Sequence, residues 1–167
     1  DMINAVFNLS TEIVVGDNGV AEFNKLGSLE FISTQNPEFG DVDRINTGAG
    51  NDIILGGHEG DFINAGEGTN IVLGDDGAID YVRADRTPDV PGADLDASDI
   101  DLIVSLSTRA FGGVDEIDSG SGDDIVIGGR YADTINAGDG SNLVIGDSGR
   151  ITAANTDLSR FATLPLT

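Results

Sequence analysis

A nine-residue beat limits what this chain can fold into. Gly48 to Gly77 reads GAGNDIILGGHEGDFINAGEGTNIVLGDDG, and Gly120 to Gly149, 72 positions later, reads GSGDDIVIGGRYADTINAGDGSNLVIGDSG. Inside the copies an acidic or amide residue recurs every nine positions: Asp43, Asp52, Asp61 and Asn70, then Asp115, Asp124, Asp133 and Asn142. Two residues after each comes a β-branched one: Ile45, Ile54, Ile63 and Val72, then Ile117, Val126, Ile135 and Val144. Glycines at the first, second and fourth places of such a unit suit turns that need positive φ, which glycine adopts at least cost. The acidic residue at the sixth place ends the turn. Places seven to nine alternate as a short strand, with the eighth residue pointing inward.

Two such units make one flattened coil. Successive coils then pair their strands in parallel and stack their acidic turns above one another. Bare carboxylates at strand spacing repel. A hard divalent cation held by carboxylates and turn carbonyls removes that repulsion, and Ca²⁺ is the ion that tolerates irregular oxygen cages.

The pattern resembles the RTX family, the haemolysin-type calcium-binding repeat with the signature G-G-x-G-x-D-x-U-x. Gly56-Gly57 with Asp61 and Ile63, and Gly128-Gly129 with Asp133 and Ile135, carry the likeness. Gly48-Ala49-Gly50 with Asp52 and Gly120-Ser121-Gly122 with Asp124 add two more units. The resemblance implies an all-β parallel β-roll, a solenoid with Ca²⁺ held between turns of successive coils. It implies Asp52, Asp61, Asp124 and Asp133 as carboxylate ligands, with Asp43, Asp115, Asn70 and Asn142 as a second tier. Carbonyls of the turns containing Gly48, Gly50, Gly57, Gly120, Gly122 and Gly129 would complete the shells. Place four departs from the signature at Glu59 and Ala132, and place six is amide at Asn70 and Asn142. An amide oxygen still ligates Ca²⁺ but brings no charge, so those sites are expected to be weaker or completed by water.

The beat stops after each Gly-Asp-x-Gly turn, at Gly16, Gly74 and Gly146. Insertions follow, Val20 to Glu38 and Ala78 to Ala110, each with two strand-like runs such as Ile79 to Val82 and Leu102 to Leu106. They are expected to form antiparallel β-hairpins. The tip from Arg86 to Asp99, with Pro88, Pro91 and a run of aspartates, reads as a solvated acidic loop. The expected organisation is a degenerate first repeat and hairpin over 1–37, roll blocks at 38–79 and 110–151, a hairpin insertion at 80–109, and a truncated third insertion at 152–167. Asp1-Met2-Ile3-Asn4-Ala5 matches Asp61 to Ala65, so the chain opens mid-unit, like a piece of a longer array. The turn from Val6 to Glu12 has lost its glycines, and no calcium is expected there.

Alternate units carry apolar residues at places seven and nine: Ile53 and Leu55, Ile71 and Leu73, Ile125 and Ile127, Leu143 and Ile145. One outer face of the roll is therefore an aliphatic wall, larger than a soluble monomer usually exposes. Either the hairpins fold back over it or a second chain covers it.

Composition narrows the function. A net charge of −22 argues against nucleic acid and anionic membrane surfaces as partners, and implies that the metal-free chain is expanded. No apolar run is long enough for membrane insertion. The absence of cysteine is compatible with a calcium-rich extracellular setting.

Catalytic readings are weaker than their structural counterparts. Gly146-Asp147-Ser148-Gly149 has the form of a serine-protease nucleophile turn, but its sister turns place Asn18 and Asp76 where Ser148 sits. The only histidine, His58, corresponds to Arg130. Asp94-x-Asp96-x-Ser98 opens like an EF-hand loop but lacks its glycine and closing glutamate. Thr69-Asn70 and Ser141-Asn142 are too few rungs for an ice-binding ladder. The expected function is non-enzymatic: a calcium-binding structural segment of a large secreted or cell-surface protein, stiffening or assembling on Ca²⁺. Its expected partners are calcium and copies of itself or neighbouring repeats. Three alternatives stand beside it: a filament or surface-layer subunit assembling through the aliphatic face, an adhesin spacer, and a non-catalytic RTX secretion and folding module of a larger toxin or enzyme.

Overall fold

The computed structural model describes residues 1–5, 9–82, 85 and 99–153. Among these residues fifteen short strands form three five-stranded sheets, and no helix occurs. The first sheet holds β1 (Met2–Asn4), β5 (Arg44–Asn46), β7 (Phe62–Asn64), β11 (Glu116–Asp118) and β13 (Thr134–Asn136), all parallel and in that order. The second holds β2 (Ile13–Val15), β6 (Ile53–Gly57), β8 (Ile71–Asp75), β12 (Ile125–Ile127) and β14 (Leu143–Ile145), again parallel. Together they make the two sides of a β-roll, and one coil takes 18 residues.

Register follows the beat. Ile45 lies opposite Ile63, Ile63 opposite Ile117, and Ile117 opposite Ile135. On the facing sheet Ile54, Val72, Val126 and Val144 align in the same way. Apart from Val144, which is exposed on the last rung, these inward residues, with Val14 and Ala65, fill the narrow interior between the two sheets. A one-residue slip would turn the whole column outward, so the core locks the register.

The insertions build a third layer. β3 (Gly19–Phe23), β4 (Leu29–Thr34), β9 (Gly77–Asp80), β10 (Leu102–Ser105) and β15 (Arg150–Thr152) form an antiparallel sheet in the order β15-β10-β9-β4-β3. β3 with β4 and β9 with β10 are the expected hairpins. The sequence did not indicate that these hairpins also pair with each other, Ile32 lying opposite Ile79, or that β15 adds to β10.

This third sheet covers the aliphatic wall. Ile53, Ile71 and Ile125 are 7, 8 and 1% exposed, packed with Ile32, Ile79 and Ile103 of the hairpins. Leu143, on the last rung, is only half-buried. β6 and β8 are buried on both faces, which accounts for their unbroken apolar runs, Ile53-Ile54-Leu55 and Ile71-Val72-Leu73. Burying each such side chain contributes about 1.5–3 kcal/mol. Of the two covers considered for the wall, the hairpins supply it, so assembly of copies through that face loses its surface. The outer face of the first sheet is polar, and there the Arg44 guanidinium lies 4.1 Å from the ring centre of Phe62.

One expectation about the acidic loop is corrected. Asp99 and Asp101 are buried at the base of the hairpin rather than solvated; there the Asp101 amide donates to Asp80 O at 2.9 Å and the Ala153 amide donates to Asp101 O at 3.0 Å. The rest of the tip, with the EF-hand-like Asp94 to Ser98, lies outside the described residues. So do 154–167 of the third insertion and 6–8 of the degenerate turn.

Candidate metal centres at the turns of the roll

Every residue at place six joins one of two columns, one on each edge of the roll. Along the edge from which the hairpins leave, the amide of Asp43 donates to Asp61 Oδ1 at 2.8 Å. That of Asp61 donates to Asp115 Oδ1 at 2.7 Å, and that of Asp115 to Asp133 Oδ1 at 3.0 Å. Along the opposite edge the amide of Glu12 reaches Asp52 Oδ1 at 2.8 Å, and that of Asp52 reaches Asn70 Oδ1 at 3.0 Å. The amides of Asn70 and Asp124 continue to Asp124 Oδ1 and Asn142 Oδ1, both at 2.9 Å. One side-chain oxygen at each of these rungs thus accepts a backbone N–H from the neighbouring coil.

The second oxygen is where chemistry is left over. Oδ2 of Asp43, Asp52, Asp61, Asp115 and Asp133 is buried with no hydrogen-bond partner. A buried carboxylate without compensation is costly, so such an atom calls for a proton or a cation. Burial, with neighbouring carboxylates adding to it, pushes Asp61 and Asp115 up to about 8. Asp124 and Asp133 are raised as well, in both cases mainly by burial.

Glycine makes room for these oxygens. A Cβ at Gly56 would sit on the carbonyl oxygen of Gly74 and 2.5 Å from Asp61 Oδ2. Gly16, Gly74 and Gly128 repeat the arrangement with Asp43 and Gly56, Asp115 and Gly128, and Asp133 and Gly146. Each cradle therefore brings a carboxylate oxygen and a carbonyl of the adjoining coil to one place that any side chain would fill. Among the described residues no three His, Cys, Asp or Glu side chains converge, so the remaining donors of a shell here are backbone carbonyls. An all-oxygen, partly backbone donor set suits Ca²⁺, and the ion would neutralise the stacked carboxylates.

The predicted glycines divide between the edges. Gly48, Gly50, Gly120 and Gly122 lie in the opposite column, where Gly66 and Gly68 separate the two pairs and pack against their backbones. Gly57 and Gly129 lie on the hairpin edge with φ of +116° and +117°, and each faces a carboxylate of the preceding coil, Asp17 and Asp75 respectively.

Those two aspartates were not singled out from sequence. Asp17 accepts the amides of His58 at 2.7 Å and Asp41 at 3.2 Å. Asp75 accepts the amides of Gly113 at 2.6 Å and of Arg130. Asp41 and Gly113 are where the chain re-enters the roll after each hairpin, so each aspartate clips the return of an insertion to the next coil. Burial pushes Asp75 up to about 6 in spite of its two donors, and Asp17 is raised for the same reason. The available signal was the replacement of Gly-Gly by Gly-Asp at the places where the beat stops.

His58 and Ser148 are not brought together as a catalytic pair. His58 Nδ1 accepts from the Gly112 amide at 3.2 Å and its ring edge meets Phe111, while Ser148 Oγ pairs with Ser107 Oγ at 3.1 Å.

The family model of the RTX calcium-binding nonapeptide repeat matches in four copies, over residues 39–72 and 111–150. Comparison with curated proteins and with solved structures finds no match.

Proposed function

The chain carries RTX calcium-binding nonapeptide repeats, a module that binds Ca²⁺, and from that premise we propose that it is a structural segment of a secreted or cell-surface protein. Calcium drives it from an expanded polyanion to a stiff roll. The observation that carries this reading is the row of buried, unpartnered Oδ2 atoms on Asp43, Asp61, Asp115 and Asp133, each beside a glycine carbonyl. Asp52 and Asp124 are the carboxylates of the other column.

The mechanism is linkage. Ions held only by the folded roll stabilise it by mass action, about 2.7 kcal/mol per site when free calcium is a hundred times the dissociation constant. With a net charge of −22, the unfolded chain gains from its own expansion, and each bound ion offsets part of that repulsion. RTX repeats occur in secreted proteins, where calcium is plentiful. The third sheet adds a packed apolar layer that depends on the roll beneath it, so folding should be cooperative across all three sheets.

The test is circular dichroism of the chelated chain titrated with Ca²⁺, with Mg²⁺ at equal concentration as control. The expected result is a β-sheet signal that appears with Ca²⁺ and not with Mg²⁺. A spectrum indifferent to calcium contradicts the proposal.

A further inference from the structure

The two edges of the roll are chemically different, and we infer that calcium enters the gaps between Asp43 and Asp61, Asp61 and Asp115, and Asp115 and Asp133, whereas the gaps bounded by Asn70 or Asn142 are closed by those amides and hold no ion. This rests on the calcium reading above and assigns where in the chain it acts.

Hydrogen bonding fixes the orientation of both amides. The Asp52 N–H points at Asn70 and the Asp124 N–H points at Asn142, and an N–H needs an acceptor, so the atom facing it is Oδ1 in each case. The NH₂ group then occupies the place of the second carboxylate oxygen. Asn70 Nδ2 donates to Ser119 O at 3.0 Å, with Gly66 O at 3.4 Å and Gly68 O at 3.5 Å around it. Asn142 Nδ2 donates to Ala137 O at 2.7 Å and lies 3.4 Å from Gly138 O. Turn carbonyls that could face a cation are thus turned toward an N–H donor of the chain itself. The positive end of the amide stands where the metal's charge would be.

Asp124, between the two asparagines, is also satisfied. Its Oδ1 takes the Asn70 amide at 2.9 Å and its Oδ2 takes the Ser119 hydroxyl at 2.8 Å. On the hairpin edge no such donor is present: Asp43, Asp61 and Asp115 are each 1% exposed and their Oδ2 atoms are unpartnered. Each of those three gaps lies between two carboxylates, matching one divalent charge. Each of the three gaps beside Asn70 and Asn142 has one carboxylate at most. Among the described residues Asp52 Oδ2 is the one orphaned place-six oxygen on the amide edge, and the Asn70 amide above it brings no second carboxylate to that gap. From Asn70 to Asn142 the amide edge is therefore a metal-free spine, and the hairpin edge is the one that calcium completes.

The experiment is a count of bound Ca²⁺ by equilibrium dialysis on the folded chain, its fold checked by circular dichroism. Asp61→Asn and Asp115→Asn should each lower the count, since each carboxylate borders two loaded gaps. Asp124→Asn should leave it unchanged. The double variant Asn70→Asp with Asn142→Asp should raise it by removing the amide donors. A loss of ions in Asp124→Asn equal to that in Asp61→Asn overturns the assignment, and so does a double variant that folds without gaining ions. No binding by the unaltered chain at millimolar Ca²⁺ overturns the calcium reading as a whole, which separates the two failures.

Discussion

The amide of Asp61 donates to Oδ1 of Asp115 at 2.7 Å across 54 residues of sequence, the same bond that Asp43 makes to Asp61 across 18. A complete hairpin intervenes in the first case and nothing but one coil in the second. The insertion therefore leaves and returns without disturbing the column. The clip made by Asp75, which takes the amide of Gly113 on the return, makes this possible.

Weakening that clip should loosen the hairpin before the roll. Asp75→Ala leaves the buried amide of Gly113 and the half-buried one of Arg130 without their acceptor, a cost of about 1–3 kcal/mol for the first and less for the second. Hydrogen exchange should quicken first at 111–113 and in β10. Asp147, the exposed counterpart, should tolerate the same change with little effect.

Filling a cradle should damage both stability and metal binding. Gly56→Ala places a methyl group on Gly74 O and against Asp61 Oδ2, and overpacking of this kind costs about 1–3 kcal/mol. Gly146→Ala is the matched control, because a Cβ there meets nothing within 4 Å. Its effect should stay within about 0.5 kcal/mol. Thermal unfolding in the presence of calcium checks both variants, and calcium affinity should fall only for the first.

The response to pH should reverse when calcium is added. Asp61 and Asp115 have folded values of about 8 against an ordinary 3.8, and Asp75 about 6. A carboxyl raised in the folded state contributes its full stability below the unfolded value, where it is protonated in both states. That contribution falls as pH rises from 3.8 toward 8 and is lost above 8. The metal-free chain should therefore fold best near pH 4, lose stability as pH rises and be expanded by pH 8, the window set by those values. Calcium competes with the same protons, so binding should release protons near neutrality and tighten as pH rises. Denaturant unfolding at several pH values, with and without Ca²⁺, measures this crossing.

The third sheet should be integral to the fold rather than an appendage. Ile103→Ala removes a fully buried side chain that packs on the wall, and should cost about 2–5 kcal/mol. Leu26→Ala, at the exposed turn of the first hairpin where Leu26 is 93% exposed, should cost close to nothing. If the hairpins were mere decoration, the two variants would unfold alike.

How far the sequence alone reached depended on whether a signal was periodic. The parallel sheets, the inward column from Ile45 to Ile135 and the stacking of Asp43, Asp61, Asp115 and Asp133 all follow from a spacing that repeats. The wall of Ile53, Ile71 and Ile125 was equally visible, and so was the hairpin cover as one of two candidates, but the pairing within that cover was not. The two insertions differ in length and share no beat, so nothing in the sequence indicated that Ile32 would lie opposite Ile79. Asp17 and Asp75 looked like ordinary turn residues, because their role depends on an N–H supplied by the next coil. The amides of Asn70 and Asn142 looked like weaker ligands. Only the position of the Asp52 and Asp124 N–H groups shows that the oxygen is already used and the nitrogen faces the turn.

The most direct measurement is an anomalous difference map, near the calcium absorption, from crystals of the chain grown in Ca²⁺. The expected result is a peak about 2.3–2.6 Å from Asp61 Oδ2, with a second beside Asp115 Oδ2. A well-formed roll with no peak at either carboxylate, or with both side chains swung into solvent, would contradict the account.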